Sequence, residues 1–225
     1  MLESKSQTQL QFSSAQRGII EVPSRLVRET MGLLFDITPL SSQFNSGIHR
    51  TKNWYAEKCI FTQIEADAFA VRRTKAQVAN GEHLLFVHRY VDGYLRGRLG
   101  DTNIDREPGY IYILDQASQV ECVQRPSTMQ AIIMPKAALG FNPDQHPPLI
   151  GFSIHEGLGK VINTLFDQIF NGLLDENYIE YAAFNQVVAC LKLGLGASPE
   201  EVDIRSQARI ALRYAIALHV DLNLD

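Results

Sequence analysis

Between about residue 44 and residue 134, the hydrophobic positions fall in short runs rich in β-branched and aromatic residues. The runs span residues 58–65, 68–74, 83–91, 94–99, 110–114, 120–124 and 129–134. They are separated by turn signals such as Asn80-Gly81, Asp92-Gly93 and Pro108-Gly109, in which Gly adopts positive φ cheaply and Asn or Asp bonds its own backbone. The pattern predicts seven β-strands in a small sandwich or barrel.

The hydrophobic period changes from 2 to about 3.6 after Pro135, which predicts helices. An apolar stripe at steps of three and four contains Leu158, Ile162, Leu165, Phe166, Ile169 and Phe170. Ser153 and Glu156 fit a capping box at the start of this helix. A second helix is predicted over residues 179–191, and the short link between the two favours antiparallel packing. A third helix is predicted after Ser198-Pro199, a typical helix start.

Composition narrows the class of protein. The 225 residues include 21 Lys+Arg and 25 Asp+Glu, giving a net charge of −4, which argues against nucleic-acid binding by this chain alone. No run of about 18 apolar residues predicts a membrane span, and the Ser- and Gln-rich N-terminus lacks the apolar core of a signal peptide. Three widely spaced cysteines, Cys59, Cys122 and Cys190, are typical of reduced thiols. We therefore predict a cytoplasmic protein without a membrane partner.

The sequence offers little support for catalysis. A cupin metal site needs His and carboxylate ligands that converge from neighbouring strands, whereas His83 and His88 are five residues apart and fall on opposite faces of one strand. The chain has no Gly-x-Ser-x-Gly elbow, and Gly157-Leu158-Gly159-Lys160 lacks the other residues of a phosphate loop. We predict no enzyme activity, no metal and no cofactor. The alternative is a metal-dependent cupin enzyme, such as a dioxygenase or isomerase.

Basic and aromatic residues concentrate in the β-rich part of the chain, about residues 44–134. The basic ones are Arg72, Arg73, Lys75, Arg89, Arg96, Arg98 and Arg106. An Arg that points into a barrel can bind an anionic or hydroxylated ligand through its planar fork, and aromatic walls are typical of small-ligand pockets. The candidate ligand-binding residues are Trp54, Arg73, His88, Tyr90 and Tyr94. The alternative for each is a plain core or surface position, and for the basic residues a solvated face.

Several short motifs follow one another over residues 33–225. They are Leu34-Phe35, Pro39-Leu40, Val71-Arg72-Arg73-Thr74, residues 83–94, Glu107-Pro108-Gly109, Ile113-Leu114-Asp115, Met134-Pro135-Lys136 with Leu139, Gly157-Leu158-Gly159-Lys160, and residues 209–221. In this order they resemble the AraC/XylS-type bacterial transcription regulators, in the branch with an N-terminal AraC-binding-like cupin sensor. Lys136 stands where the family's motif has Arg.

The resemblance implies an α+β fold: a cupin-like β-barrel, or double-stranded β-helix, followed by an antiparallel helical hairpin and one further helix. The first twenty residues are polar and aperiodic, which predicts a flexible tail (1–20). The resemblance divides the rest into a sensor barrel (21–148), a helical linker and dimerisation hairpin (149–197) and the first helix of a DNA-binding domain (198–225). The family's two helix-turn-helix units would each place a recognition helix in a major groove. The chain stops before either unit, so we expect it to be a truncated piece of a longer regulator.

The resemblance also implies a function without catalysis. The barrel would bind a small-molecule effector, and the hairpin would form a homodimer. The proposed dimerisation residues are Leu158, Ile162, Leu165, Phe166, Ile169 and Phe170, because such a broad apolar stripe can exceed what its own barrel covers. Operator DNA and RNA polymerase would be contacted only by the full-length protein.

Overall fold

Antiparallel strands form two sheets in a computed structural model that describes residues 35–40, 48–56, 59–79, 83–171 and 184–196. The strands are β1 (Asp36–Pro39), β2 (Ile48–Ala56), β3 (Cys59–Ala66), β4 (Phe69–Arg73), β5 (Leu84–Asp92), β6 (Leu95–Leu99), β7 (Thr102–Arg106), β8 (Tyr110–Asp115), β9 (Val120–Gln124), β10 (Ser127–Pro135) and β11 (Gly151–Ser153). The helices are α1 (Lys75–Ala79), α2 (Gly157–Phe170) and α3 (Phe184–Gly194), with a 3₁₀ turn at Lys136–Leu139. None of these helices is long and apolar enough to cross a bilayer.

The two sheets enclose one interior and leave a second face for the helices. One sheet has the order β1-β4-β9-β6-β7 and the other the order β11-β8-β5-β10-β3-β2. Because side chains alternate along a strand, β5, β8 and β10 each send one set of residues between the sheets and the other set towards α2 and α3. This arrangement is the predicted α+β, cupin-like barrel.

The seven predicted strands are confirmed, with ends within two residues of those observed. The sequence pattern does not predict β1, β2, β7, β11 or α1. The miss at β7 has a plain physical reason, since its two buried side chains are Ile104 and Arg106, and one apolar residue makes no alternating pattern. Close packing at β6 explains Gly97, because a Cβ there would lie 2.2 Å from the Glu121 carbonyl oxygen.

Helix α2 packs on the outer face of the six-stranded sheet, beside α3 and β11. Its stripe residues Ile162, Leu165, Phe166, Ile169 and Phe170 are buried in the chain's own core, and Leu158 is half-buried. A second subunit cannot contact fully buried side chains. This packing corrects the prediction that the stripe forms a dimer interface: amphipathicity identified a buried face correctly but assigned it to the wrong partner.

The start of α2 also differs from the prediction. The helix begins at Gly157 with Glu156 as its N-cap, and no side chain caps it, so the capping box at Ser153 and Glu156 is wrong. Ser153 instead ends β11. Gly159 lets the helix approach that strand, since a Cβ there would lie 2.0 Å from the Ser153 carbonyl oxygen. Helix α3 (Phe184–Gly194) confirms the second predicted helix over residues 184–191. The predicted start of that helix at 179–183, the link before it and the third predicted helix lie outside the described residues.

A buried ion pair holds the connector between β10 and β11. Lys136 Nζ lies 2.9 Å from Asp115 Oδ2, and both side chains are almost fully buried. The same ammonium group donates to the carbonyl oxygens of Pro143 and Gln145 at 2.9 and 2.8 Å, while His146 Nδ1 lies 2.6 Å from Asp115 Oδ2. Each hydrogen on the buried ammonium therefore has an acceptor, as burial of a charge requires.

Arg89 joins the sheet to α2. Its Nε and Nη2 atoms donate to Gln130 Oε1 at 2.9 and 2.6 Å, and Nη2 also lies 2.7 Å from Asp167 Oδ1. Its Nη1 atom donates to Asn163 Oδ1, and the guanidinium carbon lies 5.4 Å from the centre of the Phe166 ring. One side chain of β5 thus contacts three residues of α2 and one of β10.

We expect Arg89→Met to destabilise the chain by about 2–4 kcal/mol, because it leaves Gln130, Asn163 and Asp167 without their shared donor under the helix. The measurement is the urea midpoint and slope. Arg96→Met is the matched control, since Arg96 pairs with Asp105 at 2.7 Å on the exposed surface, where an ion pair contributes little. Equal losses in both variants would contradict a special role for Arg89.

Candidate functional site

Polar and aromatic side chains meet between the two sheets. His88 and Tyr90 point inward from β5, and Tyr112 lies opposite His88 on β8. From the five-stranded sheet, Arg106 on β7 and Gln124 on β9 both lie opposite the inward-facing Leu95. We call these five residues, His88, Tyr90, Arg106, Tyr112 and Gln124, the barrel cluster. All five are less than one-tenth exposed.

Arg106 is the charged member of the barrel cluster and is 6% exposed. Its guanidinium carbon lies 4.2 Å from the centre of the Tyr112 ring, a cation–π distance. Its Nε and Nη2 atoms have no hydrogen-bond partner among the described residues. Burial lowers the pKa of Arg106, although an Arg side chain keeps its proton in proteins. The interior therefore holds a positive charge with two unused donors.

The two tyrosines are held by hydrogen bonds and do not supply a counter-charge. Tyr112 Oη donates to the Glu107 carbonyl oxygen at 3.4 Å and accepts from the Glu107 amide at 3.3 Å. Tyr90 Oη donates to Gln124 Oε1 at 3.4 Å. Burial raises the pKa of both phenols, so each stays neutral at ordinary pH. Because each hydroxyl hydrogen is already donated within the chain, the two tyrosines contribute aromatic walls to the site.

His88 lies between these rings, 5.8 Å from the ring centres of Tyr90 and Tyr112. Burial, reinforced by the nearby Arg106 charge, lowers the pKa of His88 from 6.5 to about 3. The ring is therefore neutral at pH 7. Neutral imidazole keeps one acceptor nitrogen and one donor, which suits a hydrogen-bonding ligand contact.

Arg73 faces the same interior from β4 but does not join the barrel cluster. Its Nε donates to the Gln116 carbonyl oxygen at 2.8 Å, and its guanidinium carbon lies 5.3 Å from the Phe35 ring centre. Burial lowers the pKa of Arg73, and the Asp115 charge opposes this shift. The contacts give Arg73 a structural position that ties β4 to the turn after β8. Its predicted ligand contact stays a prediction.

Tyr94 and Trp54 are the other predicted site residues. Tyr94 is half-buried on the outer surface, where its hydroxyl accepts from Arg125 Nε at 3.2 Å and Arg96 lies 4.5 Å over its ring. The next residue, Leu95, points inward, so strand alternation directs Tyr94 away from the barrel cluster. This position corrects the expectation that Tyr94 lines the same cavity as Tyr90. The Trp54 backbone lies in β2, and its side chain is outside the described part of the chain.

Sequence reasoning thus predicted two members of the barrel cluster, His88 and Tyr90, named Arg106 only among the basic residues, and missed Tyr112 and Gln124. Tyr112 could have been found from its predicted strand, because it lies two residues before the apolar Leu114 and therefore on the same face of that strand. No such signal existed for Arg106, because β7 was not predicted. In the described ranges, no group of three or more His, Cys, Asp or Glu side chains is placed to hold a metal ion.

Comparison with known proteins supports the fold. The AraC-like transcriptional activator CuxR matches in its crystal structure with a TM-score of 0.61 and 15% identity, over 74% of this chain and 65% of CuxR. KdgF from Halomonas sp. matches with a TM-score of 0.32 and 13% identity, over 45% of this chain and 86% of KdgF. Ylba from E. coli matches with a TM-score of 0.36 and 10% identity, over 56% of this chain and 60% of Ylba.

The similarity to CuxR shows a shared fold and does not reach individual residues. This chain spans about two-thirds of the length of CuxR. No family model matches the sequence, and neither does any curated protein.

A neutral buried His88 makes stability depend on pH. Below pH 6.5 the unfolded chain binds a proton at this residue and the folded chain does not until about pH 3, so stability falls as the pH falls through this window. Between pH 7 and pH 5, wild type should lose about 2 kcal/mol more than His88→Leu, measured by urea unfolding at both pH values. His155→Leu, at an exposed position, is the control and should lose as much as wild type. Identical losses in wild type and His88→Leu would contradict the lowered pKa, because His88 would then bind its proton over the same pH range in the folded and the unfolded chain.

Proposed function

We propose that this chain is the effector-sensing region of an AraC-type bacterial transcription regulator. A small molecule binds between the two sheets, and helices α2 and α3 transmit occupancy of that site. DNA recognition belongs to a C-terminal module, and contacts with operator DNA and RNA polymerase belong to the full-length protein. The fold shared with CuxR, an AraC-like transcriptional activator, supports this proposal.

The observation that carries the proposal is the double burial of β5. His88 and Tyr90 point into the barrel cluster, while Arg89 between them contacts Asn163 and Asp167 of α2. A ligand that shifts His88 or Tyr90 therefore acts on the same short backbone segment that positions Arg89. Coupling of one site to another requires such a shared element, and typical coupling free energies are about 1–3 kcal/mol.

The proposal includes a homodimer in the cytoplasm, without a membrane partner, a cofactor or catalytic activity. The buried stripe of α2 is already used within the chain, so the dimer contact lies elsewhere. Val161, on the same helix, is 49% exposed and faces away from the sheet. A dimer contact on that side of α2 would lie across the helix from Arg89.

DNA selection tests the proposal. The protein from the complete reading frame and the 225-residue chain are each incubated with random duplex DNA at physiological salt, and bound sequences are recovered. We expect the complete protein to enrich a defined sequence and the 225-residue chain to enrich none, because the latter has a net charge of −4, which gives no overall attraction to the phosphate backbone.

Three outcomes would contradict the proposal. The first is a reading frame that stops after Asp225, and the second is sequence-specific binding by the 225-residue chain itself. The third is stoichiometric iron, manganese or zinc in the purified protein, which would favour the metal-dependent cupin enzyme.

A further inference from the structure

Among the described residues, each of the other buried cations has a carboxylate nearby, and Arg106 does not. Arg73 has the Gln116 carbonyl oxygen and the nearby Asp115 charge, Arg89 has Asp167, and Lys136 has Asp115. Arg106 forms no ion pair with any described residue, and the groups whose charges act on it are Tyr112, Tyr90 and Cys122. Burial raises the pKa of each of those three groups, so they are neutral.

A buried charge without a counter-ion destabilises a fold. Such a group costs several kcal/mol unless a charged partner and hydrogen bonds compensate it, and a hydrophobic side chain of similar size is often more stable in its place. A neutral acceptor such as water can satisfy the N–H groups but leaves the charge unbalanced. The cost of Arg106 is therefore explained if an anion binds there.

The free atoms of Arg106 define the shape of that anion. Nε and Nη2 lie along one side edge of the planar guanidinium group, and their N–H bonds point in the same direction. Two parallel N–H groups match the two oxygens of a carboxylate in a bidentate pair. The Tyr112 ring packs against the guanidinium group, whose carbon lies 4.2 Å from the ring centre, and both edge nitrogens are buried, so an anion bound at this edge would be enclosed by the protein.

The charge of Arg106 and the residues around it narrow the class of anion further. One uncompensated cation balances one negative charge, whereas a phosphate group carries about 1.5–2 negative charges at pH 7. The same interior is lined by apolar residues, among them Leu95, Ile104, Leu114 and Met129. We infer that the barrel binds a small organic monocarboxylate, with its carboxylate on the Nε and Nη2 edge of Arg106 and its apolar body between the sheets. This inference names the effector class and so rests on the proposed function.

Thermal unfolding of the 225-residue chain in chloride-free buffer tests the inference. The probes are straight-chain carboxylates from acetate to decanoate, benzoate and phenylacetate, each compared with its neutral amide at the same concentration. We expect at least one carboxylate to raise the midpoint by about 3 °C or more at a saturating concentration, and its amide to have no effect. No shift with any carboxylate, or equal shifts with the amide, with chloride or with inorganic phosphate, would overturn the inference.

Variants of Arg106 separate binding from folding. Arg106→Met should unfold about 2 °C or more above wild type without ligand, because it removes an uncompensated buried charge, and should lose the carboxylate-dependent shift. Arg106→Lys keeps the charge but loses the fork, and should bind the same carboxylate at least about tenfold more weakly by calorimetry. Arg98→Met, at an exposed position with Asp101 as its partner, is the control and should behave as wild type.

The inference fails if Arg106→Met unfolds below wild type, because Arg106 would then be a structural residue, or if this variant keeps the carboxylate shift. These readouts need no DNA. Carboxylate binding without DNA selection by the complete protein would overturn the proposed function alone, and DNA selection without carboxylate binding would overturn the ligand class alone.

Discussion

Strand β5 is buried on both faces, and this constraint fixes most of what the molecule can do. From Leu85 to Tyr90 every side chain is buried, alternately against the helices and between the sheets. A strand in that position would ordinarily be apolar throughout. Here half of those six positions are polar or amphipathic, namely His88, Arg89 and Tyr90. Each must find partners inside the protein, because water does not reach it.

Buried polar groups find partners in different ways on the two sides of the six-stranded sheet. On the helix side, Arg89 is fully engaged by Gln130, Asn163 and Asp167, and the cost of burying its charge is offset by a carboxylate. Between the sheets, Arg106 has a ring beneath it and no carboxylate beside it. Satisfied polar groups hold a fold in one arrangement, whereas an unsatisfied one is tolerated where function requires it. This contrast assigns Arg89 to the scaffold and Arg106 to the candidate site of the same barrel.

How far the sequence predicts this depends on pattern strength. Strands with several alternating apolar residues and glycine turns were located well, β5 and β9 among them. Strand β7 was not predicted because Ile104 is its sole buried apolar residue. Without that strand, the sequence could not show that Arg106 points inward. The apolar stripe of α2 was correctly identified, but periodicity cannot say whether a sheet or a second chain covers it. Tyr94 shows the same limit, since a single residue of register reverses its face.

The two faces of β5 cannot respond independently. Successive side chains share one backbone with a rise of about 3.3 Å per residue, so a displacement that accommodates a ligand at His88 or Tyr90 also displaces Arg89. The planar guanidinium group of Arg89 makes several hydrogen bonds. Its partners on α2 must therefore either move with it or lose those bonds. Packed interfaces of this kind switch between discrete arrangements and do not deform smoothly. The hydrogen bonds and ion pair that hold α2 against the barrel are therefore the contacts through which a bound anion would move this helix.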